Sequence, residues 1–366
     1  MYLPFSIAQG HAHPLKNEVS GYFLAKSSYQ PGKKGHSDTT FGIKKHYELD
    51  KSFFSMHNAY MSYAAQPIFS SGMTRFVRSY AKINLTLDVL GRRKDGYHEL
   101  ATVMQTVDLY DTLCLTTTAD GHVRITCTRP ELNGADNLAV RAAQALCMRC
   151  ALPQGVEIEL SKRIPMAAGL GGGSSNAAAV LLALQQEWQL PLSSSDLLTI
   201  AAELGSDVPF FLSGGLALCE GRGERITPLA SHWPRNMRWL LLLKPAISVS
   251  TAAVFRSLPA SDYTDGTHSR AISAVLQAKR ELPLENLHNG LERGVLERYP
   301  EVAQARKEML LAGAAYVRLS GSGPTLFAPF SELVRATRVQ QSLHERGYET
   351  YLTRAIHPTV ENVSFY

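Results

Sequence analysis

The chain has 366 residues, 45% of them hydrophobic and 19% charged, with a net charge of +5. That length suggests two domains, or two and an appendage, and no apolar run approaches the ~18 residues a membrane helix needs. Residues 73–366 carry 6 Lys, 24 Arg and 28 acidic residues, so the bulk of the chain is only +2 and lacks the basic, aromatic-lined face of a nucleic-acid binder.

The first 72 residues hold 7 Lys, no Arg, 4 acidic residues and 5 of the 12 His, and show no sustained periodicity. Met73 stands at the break. The segment reads as a disordered and dispensable extension, with an upstream translated stretch, a targeting peptide and a functional arm as its three origins. Transit peptides are rich in arginine and poor in acids, which this segment is not. A cytoplasmic location is expected, with a plastid as the alternative if residues 1–72 are a targeting segment.

Residues 75–90 alternate apolar and polar as a strand does, and Gly91 to Gly96 form a charged turn. Further strands are predicted at 100–109, 111–118 and 123–127. Asp136-Asn137 can cap a helix running to Cys150, and another strand covers 155–160. A helix is predicted over about 175–189, stopped by Pro191, and another from Ser193–Ser195 to Leu204, stopped by Gly205. Residues 212–220 read as a strand. A second unit begins near Pro234, with a strand at 238–244, a partly helical stretch over 251–280, helices at 283–298 and 300–311, and a turn flanked by 315–319 and 325–328. The interleaving suggests two α+β domains, over 73–232 and 233–366. Five scattered cysteines (Cys114, Cys127, Cys147, Cys150 and Cys219) suit free thiols. Cys147 and Cys150 have no second pair at zinc spacing, and no metal-ligating set is expected.

The most informative stretch is Pro165-Met-Ala-Ala-Gly169-Leu170-Gly171-Gly172-Gly173-Ser174-Ser175-Asn176. Glycines let a ligand approach the backbone N–H groups, and a loop that empties into a helix N-terminus is an anion site, most naturally for phosphate. A flexible linker is the bland alternative, but an apolar helix follows. No lysine follows the glycines, so this is not a P-loop, and Ser174 at the sixth position from Gly169 breaks the dinucleotide pattern G-x-G-x-x-G. Any lysine serving the phosphates comes from elsewhere.

Four other constellations stand out. Lys82 and Asn84 share one strand face in Ala81-Lys82-Ile83-Asn84-Leu85, pointing into a site or onto an exposed edge. Tyr97 and His98 follow the charged turn and suit a planar ligand, or pack as a surface turn. Asp207, in Gly205-Ser206-Asp207-Val208-Pro209, either caps a new turn or accepts a hydroxyl proton. Gly321, Ser322 and Gly323 form a second glycine loop that touches ligand or makes a plain turn.

Together these stretches resemble the GHMP kinase superfamily, and in detail its 4-diphosphocytidyl-2-C-methyl-D-erythritol kinase branch. The match runs over about residues 74–355 in the family's order. The resemblance implies an α+β, two-domain fold: a ribosomal protein S5 domain 2-like first domain and a ferredoxin-like second, with the site between them. It implies phosphorylation of the substrate's 2-hydroxyl by ATP with Mg2+, another GHMP kinase of homoserine or mevalonate type being the alternative. By motif, Asp207 is the catalytic base and Lys82 its electrostatic partner. Asn84 would sit near the hydroxyl, and Tyr97 and His98 would hold the cytosine. The stretch Pro165 and Gly169–Asn176 would bind ATP with Asn137 and Lys162, and Ser175 or the phosphates would coordinate magnesium. The implied partner is a small molecule, with no nucleic acid or membrane and a monomeric or homodimeric state. One departure is Asn289-Gly290-Leu291-Glu292, where the family often has Asn-Asp-Leu-Glu, which puts a local cap or packing contact in question.

Overall fold

In a computed structural model, residues 72–229 and 233–357 are described. The expected extension over 1–72 lies, apart from Gly72, outside them. No described helix is long and apolar enough to cross a membrane.

Two strands organise the first sheet. β1 (Thr74–Arg92) and β2 (His98–Thr118) pair antiparallel along their length, with register shifts at Tyr80/Ala81, Asn84/Thr86 and Val89/Gly91. The strands expected at 100–109 and 111–118 are therefore one. The pairing simply slips past residues 108–109 at the first bulge, which bends the strand without ending it. Residues 112–118 of β2 pair with β4 (Gly155–Ser161), which pairs parallel with β3 (Val123–Cys127). Residues 100–105 pair with β5 (Leu216–Gly221), followed by β6 (Arg225–Pro228). The gap between these partners is filled from the far end of the chain: Val107 bridges to Ala355, and Ile356 N donates to Thr106 O at 3.0 Å.

Helices α1 (Leu138–Cys150), α2 (Gly172–Glu187) and α3 (Ser194–Leu204) pack in one core with this sheet. α2 buries Ala177, Ala178, Val180, Leu181 and Leu184 there, each leucine contributing roughly 2 kcal/mol by apolar burial. α3 begins with a capping box between Ser193 and Asp196 and ends at Gly205. α2 begins three residues before the expected start, because Gly171 at φ +71° turns the chain and Gly172 and Gly173 already form its first turn. A short helix, α4 (Val208–Ser213), takes the start of the segment expected as a strand at 212–220; Pro209 in its first turn favours it.

The second sheet contains β7 (Trp239–Lys244), β9 (Arg318–Leu319), β10 (Leu326–Phe330) and β11 (Glu349–Thr353), in the antiparallel order β11-β7-β10-β9. Numbered within this sheet the order is 4-1-3-2, and helices intervene after the first and third strands, which is the ferredoxin-like β-α-β-β-α-β pattern. The intervening helices are α5 (Thr251–Ser257), α6 (Thr267–Gln277), α7 (Glu292–Arg298), α8 (Pro300–Leu311) and α9 (Leu333–Glu345). The sequence reading missed α9 and β11. It also took 283–298 as one helix, whereas His288–Asn289 form a short strand, β8, that pairs parallel with β1. Strand pairing there outweighs helix propensity. At the departure from the family pattern, α7 has no side-chain cap; Asn289 Oδ1 instead accepts from Leu291 N, and Glu292 accepts from Leu319 N.

A shared core joins the sheets. It places Ile83 and Leu85 of β1 with Leu240 and Leu242 of β7 and Phe327 of β10. The polar face of β1, which alternates with these residues, is thereby turned toward the two glycine loops.

Candidate active site

A cleft of about 1140 Å³ opens along that face. At its floor, the Lys82 side chain is buried, and its Nζ donates to Asn84 Oδ1 at 2.8 Å and lies 3.5 Å from Asp207 Oδ2. Asn84 Nδ2 donates onward to Thr102 Oγ1 at 2.8 Å. Lys82 and Asn84 converge because strand alternation puts both on one face. Asp207 holds the N-cap position of α4, yet its carboxylate makes no capping bond. It turns toward Lys82, so the plain capping role that the sequence allowed is not the one taken.

The glycine loop forms the adjoining wall. Lys82 N donates to Leu170 O at 3.0 Å, which ties the loop to β1. A Cβ on Gly171 would lie 2.8 Å from the Phe211 ring and 3.2 Å from Lys82 Cε. A Cβ on Gly169, at φ +74°, would lie 2.2 Å from Ser320 O. The two glycine loops therefore touch backbone to backbone. Gly321 completes the contact, since a Cβ there would sit 3.3 Å from both Lys82 Nζ and Asn84 Oδ1. The N-terminus of α2 has no side-chain cap. Its first-turn N–H groups lack intrahelical partners, and with the macrodipole they favour an anion.

Behind the loop, Asp111 is fully buried and accepts four hydrogen bonds: Oδ1 from the backbone N of Arg163 (2.7 Å) and Ile164 (2.8 Å), Oδ2 from Lys162 Nζ (2.5 Å) and Asn176 Nδ2 (2.9 Å). Asn176 Nδ2 also reaches Ser79 Oγ at 2.6 Å. Asp111 thus binds the chain on both sides of the glycine loop. It sets the Lys162 ammonium 2.9 Å from where a Gly172 Cβ would stand.

At the other end, the β1–β2 turn closes through Arg93 N to Tyr97 O (2.8 Å), and Asp95 accepts from Tyr97 N. Tyr97 is 53% exposed, with the Arg222 guanidinium 5.0 Å from its ring centroid. The His98 ring lies 5.3 Å from that of Phe255, tilted by 32°, and its Nε2 is 3.5 Å from Tyr263 Oη. Burial, and then the nearby Arg92 charge, lower the His98 pKa from its ordinary value.

The cleft gathers most of the residues singled out from sequence. Lys82, Asn84, Tyr97, His98, Asn137 and Lys162 line it, as do Pro165, Gly169–Ser174, Asn176, Asp207, Gly321 and Ser322. Asn137 caps α1 through Ala139 N, and Leu170 is itself almost wholly buried. Ser175 and Gly323 are not among the lining residues. Ser175 is buried within α2, with its N–H on Gly171 O. Gly323 N–H is spent on Ser320 O. Sequence reading missed Asp111, Phe255, Tyr263 and Arg222. Asp111 could have been suspected as a lone carboxylate in a buried strand; the others lie in stretches with no motif of their own.

Comparison with known proteins bears on the same residues. Residues 137–215 match the family described as GHMP kinases N terminal domain, and residues 271–349 match GHMP kinases C terminal. The chain is similar to the 4-diphosphocytidyl-2-C-methyl-D-erythritol kinase of Shouchella clausii, at 42% identity over 76% of this chain and 94% of the relative. It is 43% identical to the enzyme of that name from Exiguobacterium sibiricum, over 78% of this chain and 99% of the relative. A crystal structure of 4-(cytidine 5'-diphospho)-2C-methyl-D-erythritol kinase superposes with a TM-score of 0.66 at 35% identity, covering 76% of this chain and 98% of that one. A homoserine kinase structure from Cytophaga hutchinsonii, at 21% identity and a TM-score of 0.61, shares the fold. The chain belongs to the GHMP kinases, in the 4-diphosphocytidyl-2-C-methyl-D-erythritol kinase family.

Proposed function

We propose that the cleft transfers the γ-phosphoryl of ATP to the 2-hydroxyl of 4-diphosphocytidyl-2-C-methyl-D-erythritol. The observation that carries this reading is the Lys82–Asp207 pair, set at 3.5 Å between the glycine loop and the Tyr97-His98 end of the cleft. In the reaction, Asp207 takes the hydroxyl proton as the oxygen bonds to the γ-phosphorus and the bond to the ADP oxygen breaks. Lys82 offsets charge on the transferring group, Asn84 orients Lys82 and the hydroxyl, and the first-turn N–H groups of α2 hold the phosphates. Such a reaction rests on positioning and electrostatic stabilisation. Asn137 and Lys162 flank the nucleotide. Tyr97, His98, Phe255 and Tyr263 supply an aromatic, hydrogen-bonding pocket that suits a pyrimidine.

Magnesium enters with ATP. The ATP phosphates would supply oxygen ligands to it, as magnesium prefers, with Ser175 as the side-chain candidate. Residues 73–232 form the ATP-binding unit and residues 233–366 the second. This division is supported by the origin of the strands: six of seven in the first sheet precede residue 233, and all four of the second follow it.

The test is ADP release with the cytidyl substrate against homoserine and mevalonate. Turnover with the cytidyl substrate alone is expected, and preference for either other alcohol would overturn the reading. A chain starting at Met73 should retain that activity.

A further inference from the structure

Lys82 and Asn84 face the cleft. Past the register shift at Asn84/Thr86 the alternation inverts, so Thr86 and Asp88, opposite Val103 and Ala101, turn away from the cleft toward Ser269 of α6, and both are buried. There the Asp88 carboxylate is fully buried and accepts Thr264 Oγ1 at 2.7 Å, Ser269 N at 2.8 Å and Ser269 Oγ at 2.6 Å. A carboxylate offers about four acceptor positions, so one remains, on Oδ1.

Two histidines from distant parts of the chain stand beside it. His268 lies in the first turn of α6, and His288 is held in β8 by the parallel pairing of Thr86 with His288. Their rings stack with centroids 3.8 Å apart and planes 14° from parallel. His288 Nε2 is buried and has no hydrogen-bond partner. One potential ligand atom from each of Asp88, His268 and His288 lies within 4.8 Å of the others. The neighbouring Asn289 fixes β8 by donating to Leu319 O at 2.9 Å and Gly321 O at 2.8 Å. His268 is exposed, which gives the cluster a route to solvent.

We propose that Asp88, His268 and His288 bind a divalent transition-metal cation of the zinc type, at a site separate from the magnesium that accompanies ATP. Two imidazoles and one carboxylate suit zinc, cobalt or nickel, whereas magnesium and calcium prefer oxygen donors throughout. Thr264 and Ser269 hold the carboxylate from behind, as outer partners of a metal ligand do. The orphaned His288 nitrogen gains a partner. Coordination requires the two stacked rings to open toward the shared ion, with water completing the set. A bound ion would staple β1, α6 and β8 together, and since it binds only the folded chain it would raise thermal stability.

The test uses the full chain, stripped with a chelator and titrated with Zn2+ against a chromogenic competitor. One tight equivalent is expected, together with a zinc-dependent rise in Tm. His268→Gln, an exposed change that leaves the fold intact, should weaken that binding at least tenfold and remove the Tm rise; His288→Ala should do the same. Cys147→Ser with Cys150→Ser should leave both unchanged, and the Co2+ complex should lack the strong near-ultraviolet band of thiolate ligation. Absence of stoichiometric binding by the unmodified chain would overturn the proposal. So would equal affinity in His268→Gln, or loss of binding in the cysteine variant.

Discussion

Asp207→Asn separates the chemistry of the cleft from its architecture. The substitution keeps the size of the side chain and leaves an oxygen facing Lys82, but removes the charge and the proton-accepting carboxylate. Two unit charges 3.5 Å apart interact by about 5 kcal/mol at an effective dielectric of about 20. The Asp207 side chain is 34% exposed, and solvent screening reduces the stability actually contributed to about 1 kcal/mol. The fold should therefore persist. Loss of a positioned base costs about 10²- to 10⁴-fold in rate, so kcat should fall about 10³-fold, near 4 kcal/mol of transition-state stabilisation. The uncapped N-terminus of α2 is untouched, so the Kd for ATP should move by less than about threefold. ADP release at saturating substrates gives kcat, and calorimetry gives the ATP Kd. A kcat within tenfold of the unmodified chain would refute the assignment of Asp207 as the base. A large loss of ATP affinity with kcat preserved would move Asp207 to the nucleotide.

Three other perturbations probe the rest of the cleft. Gly169→Ala places a Cβ 2.2 Å from Ser320 O at φ +74°; the left-handed backbone alone costs about 1–2 kcal/mol, so the glycine loops must part and KM for ATP should rise at least tenfold, which steady-state kinetics would show. Asp111→Ala leaves the buried Lys162 ammonium without its counter-charge and should destabilise the chain by about 3–5 kcal/mol in a denaturant titration; a loss under about 1 kcal/mol would mean that Lys162 finds another partner. The depressed pKa of His98 means that the folded chain resists its protonation. Stability and affinity are full above the ordinary histidine range and are lost as pH falls through it toward the lower folded value. KM for the cytidyl substrate should accordingly be flat between pH 7 and 8 and rise below pH 6, and His98→Asn should abolish that dependence.

What could be read from the sequence was whatever short-range chemistry specifies. Glycines followed by an apolar helix announce a loop feeding an anion site, and they do so whatever the rest of the chain does. The absence of a lysine after them excludes a P-loop just as locally. Strand alternation sets Lys82 and Asn84 on one face, and Ser193 and Gly205 delimit α3. Helix propensity misled at 283–298, because the pairing of His288 with Thr86 is a contact 202 positions away in the chain that no local window contains. The same holds for the continuous β2, whose middle is paired by residues 354–356.

The chain by itself determined the parts: a phosphate loop, a lysine, an aspartate, an aromatic pair, and an order that matches one family. Tertiary structure decided which of them meet. Lys82 and Asp207, 125 positions apart, become an ion pair only because α4 docks beside β1. Asp111 becomes the clamp of the glycine loop only because β2 carries it to the backbone of Arg163 and Ile164 and to Asn176. Asp88, His268 and His288 have no common pattern in the sequence and share a site only through the pairing of β8 with β1 and the packing of α6. Local conformation follows from near neighbours, but a site of converging charges depends on long-range packing, and only the folded chain specifies that.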